Sequence, residues 1–290
     1  MKQSKRDIIN GLLFISPWII GFLLFTLYPI LSSFYYSLTD YNAISTPNFI
    51  GLQNYVQLFK DDLFYTSLYN TLYMIVIGVT LIILTTLIIA IALNDKRLKN
   101  VSFFRVIFFI PTLVPTVILS ILWIWLLQPD SGLVNTVLNF FHIPGPGWFA
   151  SLTWSKPSFI LMFIWAGGNY IIIFLAGLQD IPETLYEAVE IDGGTIWHKI
   201  WYITIPLLKP VILFNVITAV LNIFQSFAES FIITQGGPNN TTNFYALYLY
   251  QNAFLYHHMG YASAMAWIML IITLGLTLLL LKTSNWGKVA

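Results

Sequence analysis

Six stretches of this chain are each apolar over a length that can cross a lipid bilayer, and that removes most folds from consideration. A helix needs about 20 mostly apolar residues to span the hydrocarbon core. Runs of that kind fall at Ile8–Leu38, Thr71–Leu93, Phe103–Leu127, Ser158–Leu178, Val211–Ile233 and Ala262–Leu281. Charged residues make up 9% of the chain and apolar ones 58%, where a soluble domain carries about a quarter charged. The expected fold is therefore all-α: a polytopic membrane protein with six transmembrane helices. It is one membrane domain over residues 1–290, with a core at about 67–282. The first run is too long for the core of a signal peptide and lacks a small-residue cleavage site, so it reads as a retained helix.

The placement of Lys and Arg orients these helices. With the N-terminus inside, Lys2, Lys5, Arg6, Lys96, Arg97, Lys99, Arg105, Lys199, Lys209, Lys282 and Lys288 lie on the inner side, and only Lys60 and Lys156 on the outer. The positive-inside rule then puts both ends in the cytoplasm, and an odd number of spans would spoil the asymmetry. Outer loops fall at roughly Thr39–Asn70, Gln128–Pro157 and Thr234–Tyr261. They are rich in Gly, Pro, Asn and aromatic residues, and Leu133–Phe141 and Tyr245–Leu255 suit short helices at the interface. Interfaces collect Trp and Tyr in any case, so aromatic enrichment is no proof of a ligand.

Several chemistries are excluded. The chain has no cysteine, which rules out disulfides, thiolate metal sites and cysteine nucleophiles. No basic patch is large enough for nucleic acid. No G-x-x-x-x-G-K-[ST] phosphate loop occurs. His257-His258 is an adjacent pair in an outer loop, a poor metal site alone, so no metal is expected.

Pro111 and Pro115 fall inside the third run, where each removes a backbone donor and bends a helix. Either the helix merely tolerates a bend, or it is broken beside a cavity, as in many transporters.

The loop between the fourth and fifth runs, residues 180–208, is unusually structured for a turn. Asp180 is placed to cap a helix, Pro182 suits its first turn, and Glu183 can reach back. That helix runs to about Ile191. At 100° per residue, Glu183, Glu187 and Glu190 share about 60° of arc, while Leu185, Ala188 and Val189 occupy the other side. Gly193-Gly194 permits a sharp turn that side chains would block. A second short helix, about Ile196 to Ile203, leads to Pro206, and Pro210 opens the next span. An acidic face suits an anionic leaflet poorly. A helix-in-groove contact with a soluble partner fits better than a helix lying on the membrane.

The loop resembles the EAA motif of inner-membrane permeases of binding-protein-dependent ABC importers: Glu-Ala-Ala, a Gly some residues on, then Ile-x-Leu-Pro. Here it reads Glu187-Ala188-Val189, Asp192-Gly193-Gly194 and Ile203-Thr204-Ile205-Pro206. Val189 and Ile205 depart from the pattern and keep its apolar character. Ser16-Pro17-Trp18 with Tyr28-Pro29, Gly51-Leu52-Gln53-Asn54-Tyr55, and Thr234-Gln235-Gly236-Gly237-Pro238 resemble the carbohydrate branch, the maltose, glycerol-3-phosphate and multiple-sugar type. The resemblance implies a type I ABC importer permease fold in a bacterial inner or plasma membrane, with the EAA coupling helix docked in a cleft of a cytoplasmic ATPase. It implies a second, related permease, two ATPase subunits that use ATP and Mg, an extracytoplasmic solute-binding protein and a carbohydrate substrate. This chain would then bind no cofactor and catalyse nothing. The coupling residues would be Glu183, Glu187, Ala188, Glu190, Asp192, Gly193 and Pro206.

Polar residues inside a membrane are costly and are functional candidates. In the fifth run Asn215, Asn222, Gln225 and Glu229 lie on one helical stripe, with Ser226 beside it. In the fourth, Trp165 and Asn169 repeat at i and i+4. Hydroxyl partners with an aromatic face suit a sugar; equally, Asn and Gln glue membrane helices together.

Three other classes fit less well. A secondary transporter usually shows internal repeats and buried ion-coupling acids; no repeat is visible, and Glu229 is the one plausible membrane acid. A membrane enzyme needs clustered His, Asp or Glu at the membrane face, and His198 stands apart. A channel needs a filter sequence or a charge ring.

Overall fold

The computed structural model describes residues 5–95 and 97–283, and among them the regular structure is helical, joined by turns and loops, apart from an isolated antiparallel bridge, Thr39–Phe49. Lys2, Lys96 and Lys288, which contribute to the charge asymmetry, lie outside the described residues. Four long apolar helices are continuous: α1 (Ile9–Ser37), α2 (Asp62–Leu93), α8 (Ile196–Phe224) and α10 (Met259–Thr283). Two further apolar segments are broken. The third run is α3 (Val101–Leu113) and α4 (Thr116–Leu126), bent by 103°; the fourth is α5 (Ser155–Trp165) and α6 (Gly168–Gln179), bent by 48°. Counting each bent pair once gives six spans. The loop helix is α7 (Glu183–Ile191), and α9 (Ala228–Ile233) follows α8. Short helices at Leu133–Phe140 and Tyr245–Tyr250 match the two expected in the outer loops.

Two compact units are defined by internal contacts. One comprises, of the described residues, those from 5 to 61 together with Leu249–Ile271. Within it, Ser16 explains how Pro17 sits inside α1. Pro17 cannot donate to the Leu13 carbonyl one turn back, and the Ser16 hydroxyl donates to that oxygen instead, at 2.8 Å. At the other end of α1, the Asn54 amide donates to the carbonyls of Ser37 (2.9 Å) and Thr39 (2.8 Å), and the Tyr55 hydroxyl pairs with Ser37 Oγ at 2.8 Å. The G-L-x-N-Y motif thus closes the carbonyls a helix end leaves open. Gly51 turns the chain into it with φ +63°.

The second unit holds, of the described residues, those from 62 to 248 and from 272 to 283, and its core lies where α2, α6 and α8 meet. Ile82, Ile83, Ala90 and Leu93 of α2 are buried, as are Phe174, Leu175 and Leu178 of α6 and Leu208, Val220 and Phe224 of α8. Small residues let these helices approach. A Cβ on Gly177 would lie 2.8 Å from Val211 Cγ2. Close packing of this kind holds helices together where lipid supplies no hydrophobic drive. Beside Asn70, in the first half of α2, the T-x-G-G-P segment is a knot of hydrogen bonds. Thr234 and Thr242 hydroxyls pair at 2.7 Å, and Asn70 of α2 donates to the Asn240 carbonyl at 2.7 Å. Lys156 of α5 lies over the rings of Tyr69 (5.0 Å) and Tyr73 (4.9 Å), a cation–π pair of contacts.

Three local expectations are corrected. The fifth span does not begin at Val211 or end at Ile233: α8 starts at Ile196, absorbs the separate short helix expected at Ile196–Ile203, and stops at Phe224. Pro210 therefore lies inside a helix rather than opening one. Pro206 is accommodated by a wide π turn over Ile200–Thr204 just before it, where the Thr204 hydroxyl donates to the Lys199 carbonyl at 3.1 Å. Finally, Asp180 does not cap α7. It closes the end of α6, and Pro182 takes the N-cap position of α7 without a side-chain hydrogen bond.

Candidate functional site

The loop helix α7 has no buried residue. Glu183, Glu187, Ala188 and Glu190 are exposed along it, and Ile191 is 86% exposed at its end. Its C-terminus is a Schellman turn. The Gly193 N–H donates to the Glu190 carbonyl at 3.0 Å and the Gly194 N–H to the Val189 carbonyl at 2.8 Å. Asp192 is the C-cap, and Gly193 carries the required left-handed backbone at φ +74°. Gly194 is needed for a different reason: a Cβ there would collide with the Val189 side chain. The turn feeds α8, whose first residues are capped by His198 Nδ1 accepting the Thr195 N–H at 3.0 Å. His198, unassigned from sequence, is thus a capping residue.

Two contacts lock α7 to the base of α8. The Tyr186 hydroxyl pairs with Thr204 Oγ1 at 3.0 Å. Lys199 forms an ion pair with Glu190, and its hydrogen bond and charge, with a smaller contribution from Arg97, hold the Glu190 carboxyl below the ordinary carboxylate range. Pro206 lies exposed in the first turn after the π segment. The predicted coupling residues therefore sit on one exposed hairpin of helices, together with the exposed aromatic side chains of Trp197, Trp201 and Tyr202.

At the far end of α8 lies a cavity of about 450 Å³, lined among others by Thr116, Tyr170, Asn222, Gln225, Ser226 and Glu229. That volume falls within the ordinary range of small-molecule sites. The polar groups organise one another. Asn222 Nδ2 donates to the Tyr170 hydroxyl at 3.1 Å, and Ser226 Oγ donates to Glu229 Oε2 at 3.0 Å. Among the described residues, no Lys or Arg lines the cavity. Three breaks in helical backbone meet there: Thr116 opens α4 after the kinked prolines, Tyr170 follows the α5–α6 bend, and Gln225 to Phe227 separate α8 from α9. The two prolines of the third run thus mark a broken helix beside a cavity, not a tolerated bend.

The structure redistributes the polar residues read from sequence. Asn222, Gln225 and Glu229 do share the cavity wall, but not as one helical stripe, because α8 ends before Glu229. Asn215 is buried away from the cavity, and its amide donates to the Tyr170 carbonyl at 3.3 Å, so it ties α8 to α6. Trp165 packs edge-on against Trp123, with centroids 6.0 Å apart, and Asn169 is exposed. Neither lines the cavity, because the bend between Trp165 and Gly168 breaks their i, i+4 relation. Tyr170 and Thr116 are the polar lining residues that sequence reasoning missed, and Phe163 is an aromatic one. The pair Gly167-Gly168 was the available signal for the first, since paired glycines mark a helix break.

The fold and these two regions define a multi-pass membrane transport subunit. The family described as binding-protein-dependent transport system inner membrane component matches residues 83–282. The chain belongs to that family of ABC transporter permeases. It is similar to the probable ABC transporter permease protein YesP of Bacillus subtilis, with 38% identity over 294 residues, 99% of this chain and 94% of the relative. It is 36% identical over 276 residues to the lactose transport system permease protein LacF of Rhizobium radiobacter, covering 93% of this chain and 92% of that one. A chain of the bacterial alginate ABC transporter, solved in complex with an alginate pentasaccharide-bound periplasmic protein, shares the fold. The TM-score is 0.84 at 23% identity, over 97% of this chain and 95% of that chain.

Proposed function

We propose that this chain is one of two related membrane subunits of an importer for a neutral sugar or short oligosaccharide. In this reading an extracytoplasmic binding protein delivers the sugar, and ATP and Mg are used by two separate ATPase subunits that grip the α7 hairpin from the cytoplasm. Both chain ends lie on that cytoplasmic side, as the Lys and Arg distribution implies. The observation that carries the reading is the continuity of α8. A helix of 29 residues, about 43 Å long at 1.5 Å per residue, joins the exposed hairpin at one end to the polar cavity at the other. A push at the hairpin moves a rigid rod whose tip carries Asn222 and Gln225, a short path from an ATPase stroke to a change of cavity access.

The cavity supplies what a sugar needs and little that an anion wants. Amide, hydroxyl and carboxylate groups can exchange hydrogen bonds with sugar hydroxyls, and Phe163 and Tyr170 offer ring faces. The lactose system named for one relative transports a neutral sugar, which supports the same class. The test is purification from native membranes in mild detergent, mass spectrometry of the co-purifying proteins, and uptake by proteoliposomes. An ATPase, a second permease and ATP-dependent sugar uptake are expected. Uptake by the chain reconstituted alone would replace this reading with a secondary transporter.

A further inference from the structure

A second cavity, about 360 Å³, runs between α3 and α6 and takes no part in the proposed sugar path; its lining includes Leu93, Arg105, Val106, Phe109, Ile172 and Gln179. The two helices run antiparallel here. Gly168, at the start of α6, packs on Phe108 and Thr112 late in α3, so Gln179 at the end of α6 faces the earlier part of α3 that carries Arg105. The groove is therefore polar at one end, through Arg105 and Gln179, and apolar through the rest. Leu93 also lines it, and Arg97 and Lys99 follow soon after in the chain; Asp95 accepts the Arg97 backbone N–H at 2.9 Å. Arg105 is exposed, and among the described residues it has no ion pair or hydrogen bond.

We propose that this groove binds an anionic phospholipid, its phosphate on Arg105 and an acyl chain laid along Val106, Phe109 and Ile172. A guanidinium prefers phosphate in a two-pronged hydrogen bond, and an unpaired one at the edge of the hydrocarbon layer needs an anion or water. The apolar floor excludes two other occupants. A sugar would leave its hydroxyls unpartnered along Val106, Phe109 and Ile172, and an extended peptide would leave its backbone groups so. An amphiphile with one charged end matches the polarity of the groove from end to end.

The test uses the full chain purified with its companion subunits, stripped of loose lipid and titrated with phosphatidylglycerol and phosphatidylcholine at equal concentration. Native mass spectrometry counts the lipids bound. Wild type is expected to favour phosphatidylglycerol by about fivefold, the factor that one basic group contributes near an anionic surface. Arg105→Gln, at an exposed position, should keep the melting temperature and lose the preference, and Arg105→Lys should keep part of it. Val106→Trp, which fills the groove, should lower binding of both lipids. Equal retention of the two lipids by wild type, or an unchanged preference in Arg105→Gln, overturns the proposal. So does oxidative crosslinking of Ala176→Cys to a cysteine in a companion permease, which would assign the groove to a protein contact. The chain's lack of native cysteine makes that crosslink unambiguous.

Discussion

Adjacent glycines at the end of α7 do separate jobs, so their substitutions should fail differently. Gly193→Ala forces a side chain into the left-handed region at a cost of about 1–2 kcal/mol, with open space around the new methyl. Gly194→Ala instead drives a methyl into Val189. The first should weaken the turn while leaving the hairpin path intact; the second should shift α7 against α8. In the assembled importer, the ratio of sugar moved to ATP hydrolysed should fall more for Gly194→Ala than for Gly193→Ala, with both variants inserted at wild-type level. Glu190 makes a pH-dependent prediction. Its carboxyl is held below its ordinary value of 4.5 by Lys199, so the folded hairpin favours the charged form. The contribution is present above 4.5 and is lost as pH falls through the lower folded value. Both groups meet near the surface, so salt should weaken it too. A fluorophore on Ile191→Cys should show anisotropy that drops as pH falls below 4.5; adding Glu190→Gln should give low anisotropy throughout. A pH-independent wild-type signal would remove the pair from any role in ordering the hairpin.

Among the helices, the breaks matter more than the spans. An apolar run says that backbone is in lipid, but nothing in it reports a change of direction. That is why the ends of α1 and α10 and the end of α2 at Leu93 were readable from sequence to within a turn, while the early start of α2 at Asp62, ahead of the expected Thr71, and the 103° and 48° bends were not. Pro111 and Pro115 signalled the first break. The second rested on Gly167-Gly168, easily passed over because the apolar run continues across it. The opposite error arose in α8, where Pro206 and Pro210 looked like boundaries, yet a π turn carries the helix past Pro206 and Pro210 lies within it. The loop motif was legible because its chemistry is local: a glycine turn and an acidic arc need only neighbouring residues. The cavity was half legible because it draws lining residues from α4, α6, α8 and α9, whose meeting depends on tertiary packing. The prolines make the break testable. Val114 and Pro115 are held extended, with ψ of 122° and 140°, and Pro111→Ala with Pro115→Ala removes that constraint. The double variant should let α3 and α4 straighten and withdraw Thr116 from the cavity. A Thr116→Cys reporter should then react more slowly with a water-soluble thiol reagent, and sugar uptake should fall. Unchanged labelling would show that packing of α9 on α4, not proline, sets the bend.

At the scale of the whole molecule, α8 runs unbroken from the exposed hairpin to the cavity, and Glu187→Lys tests the proposed coupling along it. Glu187 is exposed on α7 and is not among the residues of the hairpin's observed ion pair, so its reversal should leave the fold and the cavity as they are. What it changes is the sign of charge that the hairpin offers a partner. A like-charge contact at a protein interface costs several kcal/mol, enough to lower ATPase docking by two or more orders of magnitude. The expected variant inserts normally, melts like wild type and still binds sugar in its cavity, yet co-purifies with little ATPase and shows no ATP-driven uptake. A compensating acidic substitution in the ATPase should restore both. Three readouts separate the possibilities: assembly, sugar binding and uptake. Loss of sugar binding together with assembly would mean that the hairpin shapes the cavity even without an ATPase, so that α8 transmits in both directions at rest. Wild-type uptake with intact assembly would take Glu187 out of the contact and leave the exposed Trp197, Trp201 and Tyr202 surface as the part of the hairpin that the ATPase grips.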